Sequence, residues 1–301
     1  MALLACASDP SAPTSCPDGF PAGTARPAGC TPGVDWLAFA FTSQGGSIPA
    51  LFIGKPDGSC TQRLTTDGAY STSPAFFPGG TRLVYASTRS GLNQLYVRDL
   101  ITGTETKLDT TYTFAAPTGT QTLIATMPSV SPDGATIAFE GGLAAYAGWS
   151  DVFTVPAAGG EVTRVTSSSG SAGPKWSPDG ALLYFYRASA VEIFSVHPDG
   201  TSEVPVTTGS AISSRFNLSG DGQALVYARH ATAGATPQPT ELVAFTLDSS
   251  TVRVISSANE ADPAVDAASG YDLVLLDYAT GALKRQLTSC PGQAFGATFA
   301  R

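Results

Sequence analysis

A short turn built from proline, aspartate and glycine recurs through the middle of this 301-residue chain. Its four copies are FPGG at 77–80, SPDG at 131–134, SPDG at 177–180 and SGDG at 219–222, and they lie 54, 46 and 42 residues apart. Proline presets the backbone for the second position of a turn, aspartate bonds back to the backbone, and glycine takes the left-handed corner. A repeat of about 40 to 50 residues indicates one structural unit that stacks on copies of itself.

Short segments in which apolar and polar residues alternate lie on either side of each turn. In the clearest unit the predicted strands are 73–77, 82–87, 94–99 and 104–108. Alternation with a period of two, interrupted by glycine and proline, indicates an antiparallel meander rather than a helix. One such sheet cannot bury both of its faces, and the chain holds six such units from residue 34 onward. The sequence therefore predicts an all-β fold, a six-bladed β-propeller.

The two ends of this repeat region complement each other. The first unit, 36–66, lacks a first strand, whereas the chain finishes with GQAFGATFAR, which looks like a first strand with nothing after it. We expect the C-terminal strand to complete the N-terminal blade, so that the ring closes and fewer sheet edges stay exposed. The sixth unit passes from DPAVDAASG directly to YDLVLLD, so that blade is either three-stranded or has lost a strand.

Charge and composition limit the partners that the chain can bind. The net charge is −8, which argues against nucleic acid or an anionic membrane surface because neither attracts an acidic protein. No apolar run approaches the roughly 20 residues that span a bilayer. Zinc-type ligation is not expected, because the chain has only two histidines and none of its five cysteines forms a CxxC pair. A calcium site built from turn carboxylates is the alternative, although no DxDxDG-like loop is present, and no cofactor is predicted.

The five cysteines predict disulfides and therefore an oxidising compartment. Cys60 follows the turn at 55–58, and Cys30 precedes the strand that enters the first blade from the same face, so we expect a Cys30–Cys60 bridge. Cys16 is then left to reach Cys290 across the N-terminal segment. A local loop between Cys16 and Cys30 is the alternative.

The N-terminal residues differ in character from the repeats. MALLAC at 1–6 is similar to a bacterial lipobox, so Cys6 is a predicted lipidation site; the alternative is an unmodified thiol. Residues 7–33 are rich in proline, serine, alanine, threonine and glycine, which is typical of a flexible tether. The predicted division is a residual signal and tether at 1–33 and a propeller at 34–301.

One end of the propeller is expected to carry the candidate binding residues. The second strand of three units runs toward an arginine, and aromatic residues fall on or near the same face. The candidates for binding a ligand or partner are Arg89, Arg187, Arg229, His230, Tyr70, Tyr146 and Trp149. Arginine and aromatic side chains are enriched at binding hot spots; the alternative is that each arginine makes a structural bond within its own blade. No serine–histidine–acid or paired-carboxylate arrangement is evident, so no catalytic residue is predicted.

Several motifs together resemble a known repeat. SPAFFPGG, LVYASTRSGLNQLYVRDL and a final RLTT, with the further copies PKWSPDG and SVSPDG, are similar to the TolB-type β-propeller repeat, also called the WD40-like or PD40 repeat. The resemblance covers roughly residues 34–301 and implies a six-bladed propeller. The family implies periplasmic protein–protein binding in the Tol-Pal envelope system, or substrate gating in prolyl oligopeptidases.

Neither of these two roles transfers directly, because we expect neither the extra N-terminal globular domain of TolB nor an α/β-hydrolase domain. The resemblance favours a non-enzymatic binding or scaffolding propeller whose partner is an envelope protein. The expected location is the periplasm or the outer membrane, with membrane attachment only through a lipid at Cys6. The alternative is a propeller that acts on polysaccharide, either as a lyase-like enzyme or as a glycan-binding protein.

Overall fold

The computed structural model describes residues 2–6, 29–43, 48–56, 59–115, 118–210, 212–219, 221–230, 240–256, 272–276, 283–286 and 292–299. Within these ranges the regular structure consists of strands, and no helix has the length and apolar character to cross a membrane. Five four-stranded antiparallel sheets form the blades of a β-propeller. The predicted all-β propeller fold is therefore confirmed.

Each blade is a meander whose first strand lies beside the first strands of the neighbouring blades. Blade 1 holds β25 (Gly292–Phe299), β2 (Leu37–Ser43), β3 (Ala50–Gly54) and β4 (Gln62–Arg63). Blade 2 holds β5 (Ser71–Phe76), β6 (Arg82–Ser90), β7 (Leu92–Asp99) and β8 (Glu105–Lys107). Blade 3 holds β11 (Ile124–Val130), β12 (Thr136–Leu143), β13 (Tyr146–Pro156) and β14 (Thr163–Arg164).

Blade 4 holds β15 (Ser171–Trp176), β16 (Leu183–Arg187), β17 (Glu192–Val196) and β18 (Val204–Pro205). Blade 5 holds β19 (Ile212–Leu218), β20 (Ala224–His230), β21 (Thr240–Thr246) and β22 (Thr251–Ser256). A two-stranded hairpin, β9 (Thr111–Thr113) and β10 (Thr120–Thr122), is inserted between blades 2 and 3. The repeat analysis did not predict this hairpin.

The prediction of six blades is wrong, because the residues that the structure describes form five four-stranded blades. The sixth unit supplies β23 (Asp272–Leu276) and β24 (Leu283–Gln286), which lie with β1 (Ala2–Cys6) in a three-stranded sheet of order β1-β23-β24. The physical reason is the sequence of that unit, which has no segment for a second strand before YDLVLLD. β1 is antiparallel to β23 and pairs with the edge of β23 that a second strand of the unit would occupy, with Cys6 opposite Asp272. Most of the expected tether, residues 7–28, lies outside the described residues.

The C-terminal strand lies in the first blade. β25 is antiparallel to β2, and their register runs from Leu37 opposite Phe299 to Ser43 opposite Gly292. It occupies the position of the first strand that the opening unit lacks.

Aromatic side chains stack between the second and third strands of four blades. The ring centroids lie 5.8 Å apart for Phe39 and Phe52, 6.0 Å for Tyr85 and Tyr96, 5.8 Å for Phe139 and Phe153, and 5.9 Å for Phe185 and Phe194. Each pair lies directly opposite in the strand register. Cross-strand aromatic pairs contribute about 0.2–1 kcal/mol each beyond an alanine pair. A stacked aromatic pair therefore stabilises the centre of each of these four blades.

The recurring turn makes the same hydrogen bonds in three blades. In blade 3, Asp133 Oδ1 accepts from Ser131 Oγ at 2.5 Å and from the Ala135 N–H at 2.9 Å, while Ser131 Oγ accepts from the Thr136 N–H at 2.9 Å. The serine-to-aspartate bond is 2.6 Å long at Ser177 and Asp179 in blade 4 and at Ser219 and Asp221 in blade 5. The serine and aspartate side chains thus fix the turn from both sides.

Each of these turns also contacts the turn of the preceding blade. The last glycine of the turn is left-handed, with φ of 72° at Gly134, 73° at Gly180 and 70° at Gly222. A Cβ atom added there would lie 3.3 Å from Pro78 Cδ at Gly134, 3.6 Å from Pro132 Cδ at Gly180, and 2.0 Å from Pro178 Cγ at Gly222. A proline of one blade therefore packs on a glycine of the next, and the contact at Gly222 leaves no room for a side chain.

The predicted bridge between Cys30 and Cys60 is confirmed. The two residues form a disulfide with their Cα atoms 5.5 Å apart. It ties the segment before β2 to the turn between β3 and β4, beside the buried Trp36. Cys16 and Cys290 lie outside the described residues.

Candidate functional site

The antiparallel strands give the propeller two different ends. The hairpins between second and third strands share one end with the segments that link successive blades, and we call this end the loop face; it includes residues 64–71, 90–92, 143–146, 165–171 and 187–192. The Thr88 N–H donates to the Tyr70 carbonyl at 3.0 Å, and the Ala188 N–H donates to the Gly170 carbonyl at 2.8 Å, which joins hairpins to links. The opposite end, the turn face, carries the proline–glycine turns and the hairpins between third and fourth strands.

All seven sequence-predicted candidates lie at the loop face. Tyr70 and Tyr146 are exposed, and Trp149 is half-buried. Arg89, Arg187 and Arg229 end or nearly end the second strands of blades 2, 4 and 5, so the structure places them in three separate blades. His230 is the last residue of β20, where its backbone lies opposite Thr240.

Arg89 binds groups of its own blade and of the link before it. Its guanidinium pairs with Glu105 on β8, lies 3.0 Å from an Asp67 carboxylate oxygen, and donates to the Tyr85 hydroxyl at 2.6 Å. The Tyr85 hydroxyl in turn donates to Glu105 at 2.6 Å. Burial raises the pKa of Tyr85 far above its usual range, and the hydrogen bond to Glu105 raises it further, so the phenol keeps its proton. The guanidinium also lies over the Tyr96 ring at 4.5 Å.

The other two arginines are paired in the same manner. Arg187 lies 2.5 Å from Glu203, which directly precedes β18, and its guanidinium lies over the Phe194 ring at 4.5 Å. Arg229 lies 3.0 Å from Glu241 on β21. Arg89 and Arg187 thus cap the aromatic pairs of blades 2 and 4, and a carboxylate of the same blade balances the charge of each arginine. Cation–π contacts of this kind contribute about 0.5–2 kcal/mol, more when water is excluded.

A buried carboxylate organises the loop face of blade 3. Asp151 has a fully buried side chain, and one of its oxygens lies 2.5 Å from Arg164. Its other oxygen accepts from Thr166 Oγ1 at 2.9 Å and from the Ser169 N–H at 3.2 Å. Arg164 lies over the Trp149 ring at 5.3 Å. Because a buried charge without partners is costly, this network fixes the link between blades 3 and 4.

A threonine in the link after the fourth strand holds the third strand of three blades. The threonine Oγ1 accepts a hydrogen bond from a backbone N–H of the third strand. The pairs are Thr65 with the Leu51 N–H (2.9 Å), Thr166 with the Val152 N–H (2.9 Å) and Thr207 with the Ile193 N–H (3.0 Å). In blade 4 the Thr207 hydroxyl donates to the buried Glu192, which also accepts from the Ser210 N–H at 2.7 Å. The recurrent ending of the repeats, an apolar residue followed by threonine, therefore has a structural role.

Exposed apolar side chains stand at the second-to-third hairpins of four successive blades. They are Ile48 (54% exposed), Leu92 (43%), Tyr146 (58%) and Val191 (39%). We call these four residues the apolar row. Each of these side chains exposes apolar surface to water. A partner that binds over the row would remove this surface from water, which is favourable.

The inserted hairpin lies on the same face and packs on blade 3. Tyr112 contacts the Phe153 ring at 5.2 Å between centroids, and Phe114 contacts the Trp149 ring at 5.5 Å. The threonines of β9 and β10 pair across the strands, with 2.8 Å between the hydroxyls of Thr113 and Thr120. The aromatic side of the hairpin therefore faces the blade, and the threonine side is exposed.

The turn face is acidic. Hydrogen bonds from turn groups hold the pKa of Asp133 and Asp179 below its usual range, with the serine hydroxyl the main cause and the backbone N–H two residues later the next. The pKa of Asp99 is also lowered, chiefly by the Thr102 N–H, and that of Asp199 by the Thr201 hydroxyl. These carboxylates remain ionised and give this face a negative charge. Among the described residues, no three His, Cys, Asp or Glu side chains come together as a metal site.

The comparison with known proteins identifies the type of propeller. No protein-family profile matches the sequence. A stretch of 53 residues is 34% identical to the TolB homologue of Chlorobium luteolum and spans 18% of this chain and 12% of that protein. The crystal structure of TolB from Acinetobacter baumannii matches with a TM-score of 0.65 and 17% identity, covering 86% of this chain and 66% of that one. In fold, the chain is a β-propeller similar to that of TolB.

The match leaves room for differences between this propeller and the proteins it resembles. The chain spans less than two thirds of the length of the TolB proteins from Chlorobium luteolum and Acinetobacter baumannii. Hydrazine synthase from Kuenenia stuttgartiensis contains a similar propeller, with a TM-score of 0.63, 12% identity, and coverage of 92% of this chain and 50% of that one. The fold by itself therefore does not decide between binding and catalysis.

Sequence reasoning missed several residues that shape the loop face. Asp151, Glu192 and Glu105 were not singled out, because isolated acidic residues in strands carry no periodic signal. Of the apolar row, sequence reasoning named only Tyr146; Ile48, Leu92 and Val191 were missed because each is a single apolar residue in a short hairpin. The apolar residue and threonine that end the repeats were the one available sign of the threonine bonds.

Proposed function

We propose that this protein is a non-enzymatic binding or scaffolding propeller of the bacterial cell envelope, and that it binds a protein partner through the loop face. The observation that carries the proposal is the apolar row, which repeats at one position in four successive blades. The similarity to TolB supports a protein-binding role, because the TolB family binds proteins in the periplasm. The arginine side chains at this face already have carboxylate partners, so apolar contact supplies the affinity.

The proposal is tested by capture from envelope extracts with two matched variants. One carries Leu92→Ser, Tyr146→Ser and Val191→Ser. The control carries Ile101→Ser and Val204→Ser, whose exposed fractions (52% and 51%) lie within the range of the other three but which lie away from the loop face. We expect the loop-face variant to lose captured protein by about tenfold or more, since hot-spot side chains contribute about 2 kcal/mol each. Equal capture by both variants would contradict the proposal.

A catalytic role on polysaccharide is the rival function. We propose no catalytic residue, and the candidate that the rival needs most is His230 at the end of β20. Incubation of the purified protein with uronate-containing glycans checks this point. Turnover that disappears in His230→Ala would replace the binding function by an enzymatic one.

An extracytoplasmic location is part of the proposal. The Cys30–Cys60 disulfide supports it, because disulfides persist in oxidising compartments. We further propose that Cys16 pairs with Cys290, and that the pairing of β25 with β2 closes the propeller. Non-reduced peptide mapping checks the second bridge, and a Cys16–Cys30 peptide would contradict it.

Lipidation at Cys6 and the β1 strand exclude each other in one molecule. Cleavage before Cys6 would remove Ala2 to Ala5, four of the five residues of β1. We propose that the lipid-anchored form exists in the envelope and that its sixth sheet holds β23 and β24 without β1. Mass spectrometry of the N-terminus of the native protein decides between the two forms, and an unmodified peptide that contains Cys6 would refute the anchor.

A further inference from the structure

We propose that the outer edge of β10 in the inserted hairpin accepts an extended, uncharged peptide segment of a partner protein as an added strand. The inference rests on the proposed binding function, but it uses a sheet edge rather than the apolar row. In strand addition, main-chain hydrogen bonds supply the affinity and alternate side chains supply the specificity.

The hydrogen bonds of the hairpin show which backbone groups point outward. The Leu123 N–H donates to the Thr110 carbonyl at 3.1 Å, and the Phe114 N–H donates to the Gly119 carbonyl at 3.0 Å. Because hydrogen-bonded pairs alternate along an antiparallel ladder, the N–H and C=O groups of Thr120 and Thr122 point away from β9. In the part of the chain that the structure describes, no other strand pairs with β10.

The other edge of the hairpin is already partly occupied. The Thr111 N–H, which points outward from β9, donates to Asp109 Oδ1 at 3.0 Å. This carboxylate also places a negative charge beside the edge of β9. An added strand is therefore favoured at β10 and disfavoured at β9.

The outer edges of the five blades are protected in a way that β10 is not. Natural proteins guard exposed strand edges with charges or proline, which oppose pairing with another chain. The outer strands carry Arg63 in β4, Glu105 and Lys107 in β8, Arg164 in β14, Pro205 in β18 and Arg253 in β22. The sequence of β10 is Thr-Gln-Thr, and all three residues are exposed. Because β10 carries neither a charged residue nor proline, its edge is suited to pairing with another strand.

The aromatic side of the hairpin fixes β10 in place before a partner arrives. Tyr112 and Phe114 hold the hairpin against Phe153 and Trp149, and Arg164 lies 5.8 Å from the Phe114 ring centre. An acceptor strand that is already ordered lowers the entropic cost of binding. The hairpin therefore offers a prepared edge rather than a flexible loop.

Charge indicates what kind of segment the edge takes. Residues 110–127 contain no charged side chain, so nothing on the hairpin would compensate a charged residue brought against it. Two copies of this chain, each with a net charge of −8, repel each other, which disfavours pairing of β10 with its own copy. The occupant is therefore an uncharged extended segment of a different protein. Its β-branched or aromatic residues would pack beside the exposed threonines.

A peptide probe tests the edge in the full-length protein. The probe is acetyl-TTYTFA-amide, which copies residues 110–115 and so contains the strand that already pairs with β10 in the hairpin. The control probe is acetyl-TTPTFA-amide, whose proline removes the central donor. Amide hydrogen exchange measured by NMR is expected to slow by about tenfold at Thr120 and Thr122 with the first probe and to stay unchanged with the second.

Two proline variants separate strand addition from other effects. Thr122→Pro removes an outward N–H of β10, and Lys107→Pro makes the same change at the outer edge of β8, where the ladder also points the residue outward. Protection by the probe should be lost at Thr120 in Thr122→Pro and kept in Lys107→Pro, with melting temperatures measured to show that both variants fold.

The proposal is overturned if the amides of Thr120 and Thr122 exchange equally fast with and without the probe. It is also overturned if these amides are already slow without it and become slower as protein concentration rises, since a second copy then covers the edge. Failure of the probe leaves the capture experiment on the apolar row unaffected. The two proposals therefore fail separately.

Discussion

At the scale of single residues, the proline–glycine turn does two things at once. Its serine and aspartate side chains close the hairpin of their own blade, while its proline and final glycine contact the turns of neighbouring blades. The glycine is required for two separate reasons, a left-handed backbone and the lack of space for a Cβ atom. The left-handed backbone is common to the three blades, whereas the space for a Cβ atom differs from blade to blade, and this difference can be measured.

Gly222→Ala should destabilise the protein more than Gly180→Ala. Both substitutions place alanine in a left-handed conformation, which costs about 1–2 kcal/mol. At Gly222 the new Cβ atom would lie 2.0 Å from Pro178 Cγ, which is a severe overlap. At Gly180 it would lie 3.6 Å from Pro132 Cδ, which is an ordinary contact. Overpacking adds about 1–3 kcal/mol. Urea unfolding of the two variants measures the difference, and equal losses would show that the proline contact is unimportant.

The aspartates of the turns should make stability sensitive to acid. Their folded pKa values are lowered, so the stabilisation they supply is complete above the unfolded pKa of about 3.9 and is lost as the pH falls through the lower folded value. The variant Asp133→Asn with Asp179→Asn should be less stable than the wild type at neutral pH. The difference in stability between the wild type and this variant should become smaller at a pH of about 2.5. The midpoints of urea unfolding at the two pH values check this, and a difference that does not change with pH would contradict it.

At the scale of the strand and its link, ion pairs differ in how much they contribute to the stability of the fold. Asp151 is fully buried and has three partners, whereas Glu241 pairs with Arg229 where both side chains keep contact with water. Removal of one member of a buried pair leaves the other groups without partners in a poorly solvated place. The buried network of blade 3 should therefore outweigh the pair of blade 5.

Asp151→Ala is expected to lower the free energy of unfolding by about 3 kcal/mol. Glu241→Ala should cost less than about 1 kcal/mol, the usual range for a pair open to solvent. Chemical denaturation of the two variants makes the comparison, and the double variant of Asp151 and Arg164 measures how much of the loss belongs to the pair. Similar losses at Asp151 and Glu241 would argue against the network.

The sequence predicted the repeated elements well and the insertions poorly. The strands of blade 2 and the turns at 131–134 and 177–180 follow from period-two alternation and from proline and glycine, so they are legible in one sequence. The β9–β10 hairpin is not, because two three-residue strands give too short an alternation to separate from a loop. A structural bond of each arginine within its own blade was the alternative drawn from the sequence, but its partners could not be named. Glu105 and Glu203 lie 16 residues away from Arg89 and Arg187 and become neighbours only through the fold.

At the scale of the whole molecule, charge is distributed unevenly between the two faces. The turn face carries ionised aspartates with no basic residue bonded to their carboxylates in the turns at Asp133 and Asp179, whereas the arginines of the loop face are matched by acids. Among the described residues, unpaired negative charge is therefore found at the turn face. An acidic partner would meet repulsion there.

Binding of a partner at the loop face should depend little on salt. Because the row is apolar and the nearby charges are already paired, raising the salt concentration from about 0.05 to 0.5 M should change the dissociation constant by less than about threefold. A protein captured in the extract experiment, once purified, allows this measurement by titration calorimetry. A steep fall in affinity with salt would show that the arginines, rather than the apolar row, dominate recognition.

The contacts between successive turns limit how the propeller can be rebuilt by moving its parts. A blade cut from one position and placed in another must bring a proline that suits the glycine after it and a glycine that suits the proline before it. The tight fit of Gly222 on Pro178 and the looser fit of Gly180 on Pro132 mean that blades 4 and 5 are not interchangeable modules. An engineered array made from copies of this chain should therefore take the pair of blades 4 and 5 together as its building block.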